Sequence, residues 1–162
     1  MRLPTPAMSA TTSSSSPIDD DTVAYIIEHR RHFEDLRQVA SQLAGLLVLA
    51  TVGSKRASPD HPMLEAAGHL FDAACHAIRS ARPTPRARRH HDHLLEASAS
   101  LASALSEARR RFTRPCGNID IDPILIPLRS GYAQLREAAD ALPGFEMIAF
   151  EQGCCAIHGA VR

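Results

Sequence analysis

Nine histidines and four cysteines are the residues of this 162-residue chain best able to do chemistry. His29 occupies a skipped position in the apolar stripe of the first helical segment, and His91 lies on the stripe of the third. In an up-down bundle those two helices start at the same end, which puts both imidazoles near one level. Cys75 lies beside the seam of the intervening segment and can join that layer. Imidazole and thiolate donors suit zinc, iron or copper. Without a metal, the same histidines are core-edge side chains hydrogen-bonded to each other, to Tyr25 or to water. That plainer arrangement is the expected one.

A second thiol group sits near the C-terminus, in GCCAIH. Cys154 and Cys155 are adjacent, and successive side chains diverge in most backbone conformations. They chelate one ion poorly. With His158, or with Cys116 as a third donor, they can still exchange thiols or hold a soft metal. No two cysteines form a CxxC pair.

The stretch RARRHHDHLLEA (residues 86–97) opens the third helical segment. Arg86, Arg88 and Arg89 there stand against the helix macrodipole, where anions are favoured. Free backbone N–H groups beside arginines suit a small anion or a phosphorylated partner. The acidic run Asp19, Asp20 and Asp21 would share that end of a bundle, and internal neutralisation is the simpler outcome. His90 and His93 fall off the third apolar stripe.

Other patterns exclude more than they assign. His61, Glu65, His69, Asp72 and His76 share one face of the second segment, opposite its apolar stripe, as a solvated face does. NIDID (residues 118–122) lacks the glycine and terminal glutamate of a calcium loop, since Pro123 and Arg129 stand there. No Glu-x-x-His occurs, which rules out the di-iron carboxylate bundles. There is no Gly-rich phosphate loop, GxSxG or HExxH. A histidine phosphotransfer bundle needs one exposed imidazole, and nothing selects among His69, His76, His90 and His93.

Four apolar stripes must position these groups. The first runs Ile26, Phe33, Leu36, Ala40, Leu43, Leu47 and Ala50. The second is Leu64, Ala67, Phe71, Ala74, Ile78 and Ala81. The third is Ala87, His91, Leu94, Ser98, Leu101, Leu105, Ala108 and Phe112, and the fourth is Ile121, Leu125, Leu128, Tyr132, Leu135, Ala139 and Leu142. Spacings of three and four are those of amphipathic helices. Asp19, Thr84 and Asp122 offer caps; Gly53, Pro83 and Pro143-Gly144 offer stops. Pro127 removes one backbone bond near the start of the fourth helix. The spacing predicts an all-α antiparallel four-helix up-down bundle over residues 19–142. Residues 1–18, rich in Ser, Thr and Pro, predict a disordered tail. Residues 143–162 predict a strap or short fifth helix.

Eighteen basic residues balance eighteen acidic ones, which argues against a nucleic-acid binder. The longest apolar stretch, residues 43–52, is too short to span a bilayer. With no secretory signal pattern, the expected setting is cytoplasmic, with reduced thiols. The first helix is net acidic and the third net basic, and such faces steer partners or self-association. The leading expectation is therefore a non-enzymatic interaction or regulatory module. A metal- or thiol-sensing bundle is the alternative.

Overall fold

The computed structural model of the chain describes residues 18–51, 62–112 and 120–147. They form α1 (Asp20–Thr51), α2 (Pro62–Ser80), α3 (Arg88–Phe112) and α4 (Asp122–Ala141). The fold is all-α, with no strand among the described residues. No helix among them is long and apolar enough to cross a membrane. All but the last residue of the expected tail lies outside the described residues.

The starts of α1 and α3 are capped jointly. The Asp19 carboxylate accepts the Thr22 backbone N–H at 2.8 Å and the Thr22 hydroxyl at 2.8 Å. Thr22 Oγ1 is also 2.8 Å from Thr84 Oγ1, and Thr84 Oγ1 accepts the Ala87 N–H at 3.3 Å. The single Thr22 proton goes to the carboxylate, so Thr84 donates to Thr22. One chain of hydrogen bonds thus satisfies orphan donors of both helices. Thr84 caps as expected, but residues 85–87 form a tight turn and the α-helix begins at Arg88. In α4 the cap is Ile121 rather than Asp122, with no side-chain cap bond, and the helix continues through Pro127.

Contacts between helices fix their directions. His90 reaches Ala138, His93 reaches Gln134 and Ser100 reaches Ser130, so α3 and α4 run antiparallel. Met63 is the nearest neighbour beyond Gly45, and Arg109 packs on Gly68, which makes α1 and α2, then α2 and α3, antiparallel as well. Tyr25 meets His91 at the common start of α1 and α3. These are the contacts of an up-down-up-down bundle.

The expected stripes of α2 and α3 are buried almost throughout, with only Ala81 half-buried. That of α4 is rotated by about one residue. Ile124, Gly131 and Ala138 are buried, whereas Ile121, Leu125 and Ala139 are half-buried and Tyr132 is exposed. The reason is helix approach. A Cβ at Gly131 would lie 2.9 Å from Leu101 Cγ and 3.4 Å from the Ala97 carbonyl oxygen. Small residues at the α3–α4 crossing let the backbones come closer than Tyr132 would permit. In α1 the first turn buries Thr22 and Tyr25 rather than Ile26, which is half-buried.

The chain does not leave the core at Leu142. Gly144 has φ of 99°, a left-handed conformation that turns the backbone across the bundle end. Phe145 is 2% exposed there and packs on Phe33 at 5.4 Å between ring centroids. Residues 142–147 are non-helical and act as a strap.

Two glycines should respond oppositely to alanine. Gly131→Ala should destabilise by about 1–3 kcal/mol through overpacking against Leu101. Gly45→Ala meets only Met63 Sδ, at 3.8 Å, and should stabilise by about 0.5–1 kcal/mol through the unfolded chain and helix propensity. Urea unfolding followed by circular dichroism measures both; equal effects would contradict the close α3–α4 approach.

Candidate functional site

The joined starts of α1 and α3, with the end of α4, gather the histidines. His29, His90 and His91 are all buried there, around Tyr25. His29 lies one helical turn after Tyr25 on α1, so its ring stacks on the phenol at 4.3 Å and 11° between planes. Its Nδ1 donates to the Tyr25 carbonyl oxygen at 3.1 Å. From α3, His91 Nδ1 lies 3.3 Å from the Tyr25 hydroxyl. Burial, with a lesser contribution from Asp92, pushes the Tyr25 phenol far above its usual range. It therefore stays protonated.

His90 is the innermost of the three, with no exposed surface. It faces α4, and its Nδ1 donates to the Ala138 carbonyl oxygen at 2.8 Å. That carbonyl belongs to the last turn of α4, where the helix itself supplies no donor. The ring rests on Phe145 of the strap at 3.9 Å and meets Phe33 at 6.3 Å. Its Nε2 is buried with no hydrogen-bond partner. Burial lowers the His90 pKa from its ordinary 6.5 to about 4, against the opposing effect of the Ala138 bond. Burial lowers those of His29 and His91 too. The cluster is neutral at neutral pH, with the His90 Nε2 lone pair turned into the protein.

By the spacing of large apolar side chains His90 falls off the stripe of α3, among the exposed histidines; in the structure it is fully buried. His90, Ala97 and Ala104 recur every seven residues, and all three are buried against a neighbouring helix. That heptad row was the available signal.

Among the described residues, no three His, Cys, Asp or Glu side chains are grouped to hold a metal ion. His29 and His91 meet through Tyr25, as the plainer reading expects. Cys75 is buried and hydrogen-bonded with Ser98, two turns further along α3, and burial raises its thiol pKa. Such a thiol is a poor nucleophile. Cys116, Cys154, Cys155 and His158 lie outside the described residues, as does His61.

The three arginines are exposed, and two of them, Arg86 and Arg89, act on acidic groups of the fold. Hydrogen bonds from the Thr22 hydroxyl and N–H hold the Asp19 carboxyl below its usual range, and Arg86 adds to that. Arg89 lies 3.9 Å from Glu137 on α4. Arg88 acts on His91, disfavouring its charged form. Internal compensation thus accounts for Arg86 and Arg89. Glu65, His69, Asp72 and His76 are all exposed on α2, with His69 3.8 Å from Glu65. This is the solvated face expected of them.

A cleft of about 500 Å³ borders the cluster between α1 and the end of α2, lined by Tyr25, Glu28, His29, His32, Arg82 and Thr84 among others. His32 lies with its Nδ1 3.9 Å from the Asp35 carboxylate. His29 is held by the Tyr25 carbonyl and His91 meets the Tyr25 hydroxyl, whereas His32 Nδ1 is buried without a hydrogen-bond partner.

Neutral burial makes the fold acid-sensitive. His90 binds its proton less readily in the folded chain than in the unfolded one, so stability is intact above the unfolded value near 6.5 and falls as pH drops toward about 4. The gap corresponds to about 3 kcal/mol lost across that window. His29 and His91 add in the same direction. Urea unfolding at pH 7.5 and at pH 4.5 measures the loss, and His90→Asn, which keeps a donor for Ala138 but does not titrate, should reduce it. Equal stability at both pH values would contradict the neutral cluster.

No protein-family model, curated protein or solved structure matches this chain.

Proposed function

We infer that the chain is a non-enzymatic helical-bundle module that works by binding a protein, and that its partner is a second copy of itself. One observation carries this reading: the histidines of the cluster are turned inward to join helices, while large apolar side chains are turned outward. Ile126 on α4 is 68% exposed. It forms one wall of a shallow groove of about 620 Å³ between α3 and α4, lined also by Ala99, Ser100, Ser103, Pro123, Pro127 and Ser130. A single apolar ridge next to a groove of small side chains gives one face both halves of a contact. Two-fold symmetry then brings ridge to groove twice.

Charge supports a like partner. Glu107 is the sole charged residue of that lining. It is held by Arg110 at 2.6 Å and Arg111 at 3.2 Å, and its pKa is lowered chiefly by the Arg110 hydrogen bond. The face carries little unpaired charge, and a chain of zero formal net charge does not repel its copies at long range. A regulatory role through such association in the cytoplasm is consistent with the buried, unreactive Cys75.

Sedimentation equilibrium at micromolar concentration tests this. The wild type should show the mass of two chains. Ile126→Glu should weaken association by about tenfold or more, since truncating a central apolar contact costs ~1–2 kcal/mol, with helicity unchanged. A wild type that stays at one chain mass would overturn the self-association reading.

A further inference from the structure

We propose that His90 and Phe145 form an acid-released latch: protonation of His90 unseats the strap of residues 142–147 while the four helices remain packed. The latch stands on the histidine end and is independent of the α3–α4 face.

The geometry makes His90 a poor place for charge. Its ring has no exposed surface, lies 3.9 Å from Phe145, and carries a buried Nε2 without a partner. A solvent proton adds to that lone pair. Nδ1–H keeps its bond to the Ala138 carbonyl oxygen, and the product is an imidazolium whose new N–H has no acceptor in place. A buried donor without an acceptor, carrying charge, is relieved by admitting water.

The surroundings offer the cation no other relief. From α1, His90 faces Tyr25, His29 and the Phe33 ring; from α3, His91 and His93; from α4, the Ala138 carbonyl; from the strap, the Phe145 ring. His29, His91 and His93 each oppose its charge. The carboxylates of these elements nearest in sequence are Asp21, Glu28, Glu34 and Asp35 on α1, Asp92 on α3, Glu137 and Asp140 on α4, and Glu146 on the strap. Glu34 and Asp35 are half-buried and lie beside Arg37, Arg31 and His32 of their own helix, the others are exposed, and none bonds to Nε2. Arg86, Arg88 and Arg89 add positive charge at the same end.

The strap is the part best placed to yield. The other neighbours of His90 are helical residues held by backbone ladders, whereas residues 142–147 have no regular secondary structure and are anchored through Leu142 and Phe145. Gly144, already in a left-handed conformation, is a ready pivot. The folded His90 titrates near 4, and an exposed imidazole near 6.5. Acidification across that window therefore favours the open strap by up to about 300-fold.

Fluorine-labelled phenylalanine in the full chain tests the latch by NMR, with the Phe145 line assigned through Phe145→Leu. Between pH 7.5 and 3.5 the Phe145 line should move toward a solvent-exposed shift. That of Phe112, at the far end of α3, should hold. In His90→Asn the Phe145 line should not move with pH. If that variant fails to fold, the wild type still decides: the midpoint of the Phe145 line must coincide with the midpoint of the His90 imidazole. A Phe145 line that holds while His90 titrates overturns the latch, and so does one that moves only together with Phe112.

Discussion

An imidazole without exposed surface, set where α3, α4 and the strap meet, has to remain neutral for this fold to close. His90 can be buried because its Nδ1–H satisfies a carbonyl that α4 leaves open at its last turn. The remaining face of the ring is apolar enough to seat Phe145. One side chain thus terminates a helix, fills the core and holds the strap. The cost is a lone pair with no donor, and a charged form that the site does not tolerate.

The rest of the bundle end is arranged around that constraint. Tyr25 supplies a ring face to His29 and a hydroxyl to His91, which ties α1 to α3 without placing a charge inside. The Asp19–Thr22–Thr84–Ala87 chain of hydrogen bonds caps both helices from the same side. Ionised groups stand on the outside, where the charge of Arg86 acts on Asp19 and Arg89 lies beside Glu137. Away from this end, Gly131 lets α4 approach α3 closely, and the outer side of that pair is the groove beside Ile126.

Much of this was legible in the residues. Four stripes with spacings of three and four specified four helices, and Asp19 and Thr84 announced two of their caps. Places on parallel helices put His29 and His91 near one level, with Tyr25 among the partners open to them. What escaped was governed by neighbours rather than by the helix itself. Tyr132 outranks Gly131 in hydrophobicity, yet the glycine is buried because α3 comes close. His90 reads as polar until α4 and Phe145 cover it. Phe145 follows a Pro-Gly stop, and its return to the core depends on the Gly144 turn and on space beside Phe33.

The protonation state of His90 in the native protein tests the account most directly. Nitrogen-15 imidazole spectra of the full chain at pH 7 separate the two ring nitrogens. The account predicts a protonated Nδ1 and a bare Nε2 for His90, held without change until well below the ordinary histidine range. A doubly protonated His90 at neutral pH, or one titrating near 6.5 like an imidazole in water, would contradict it.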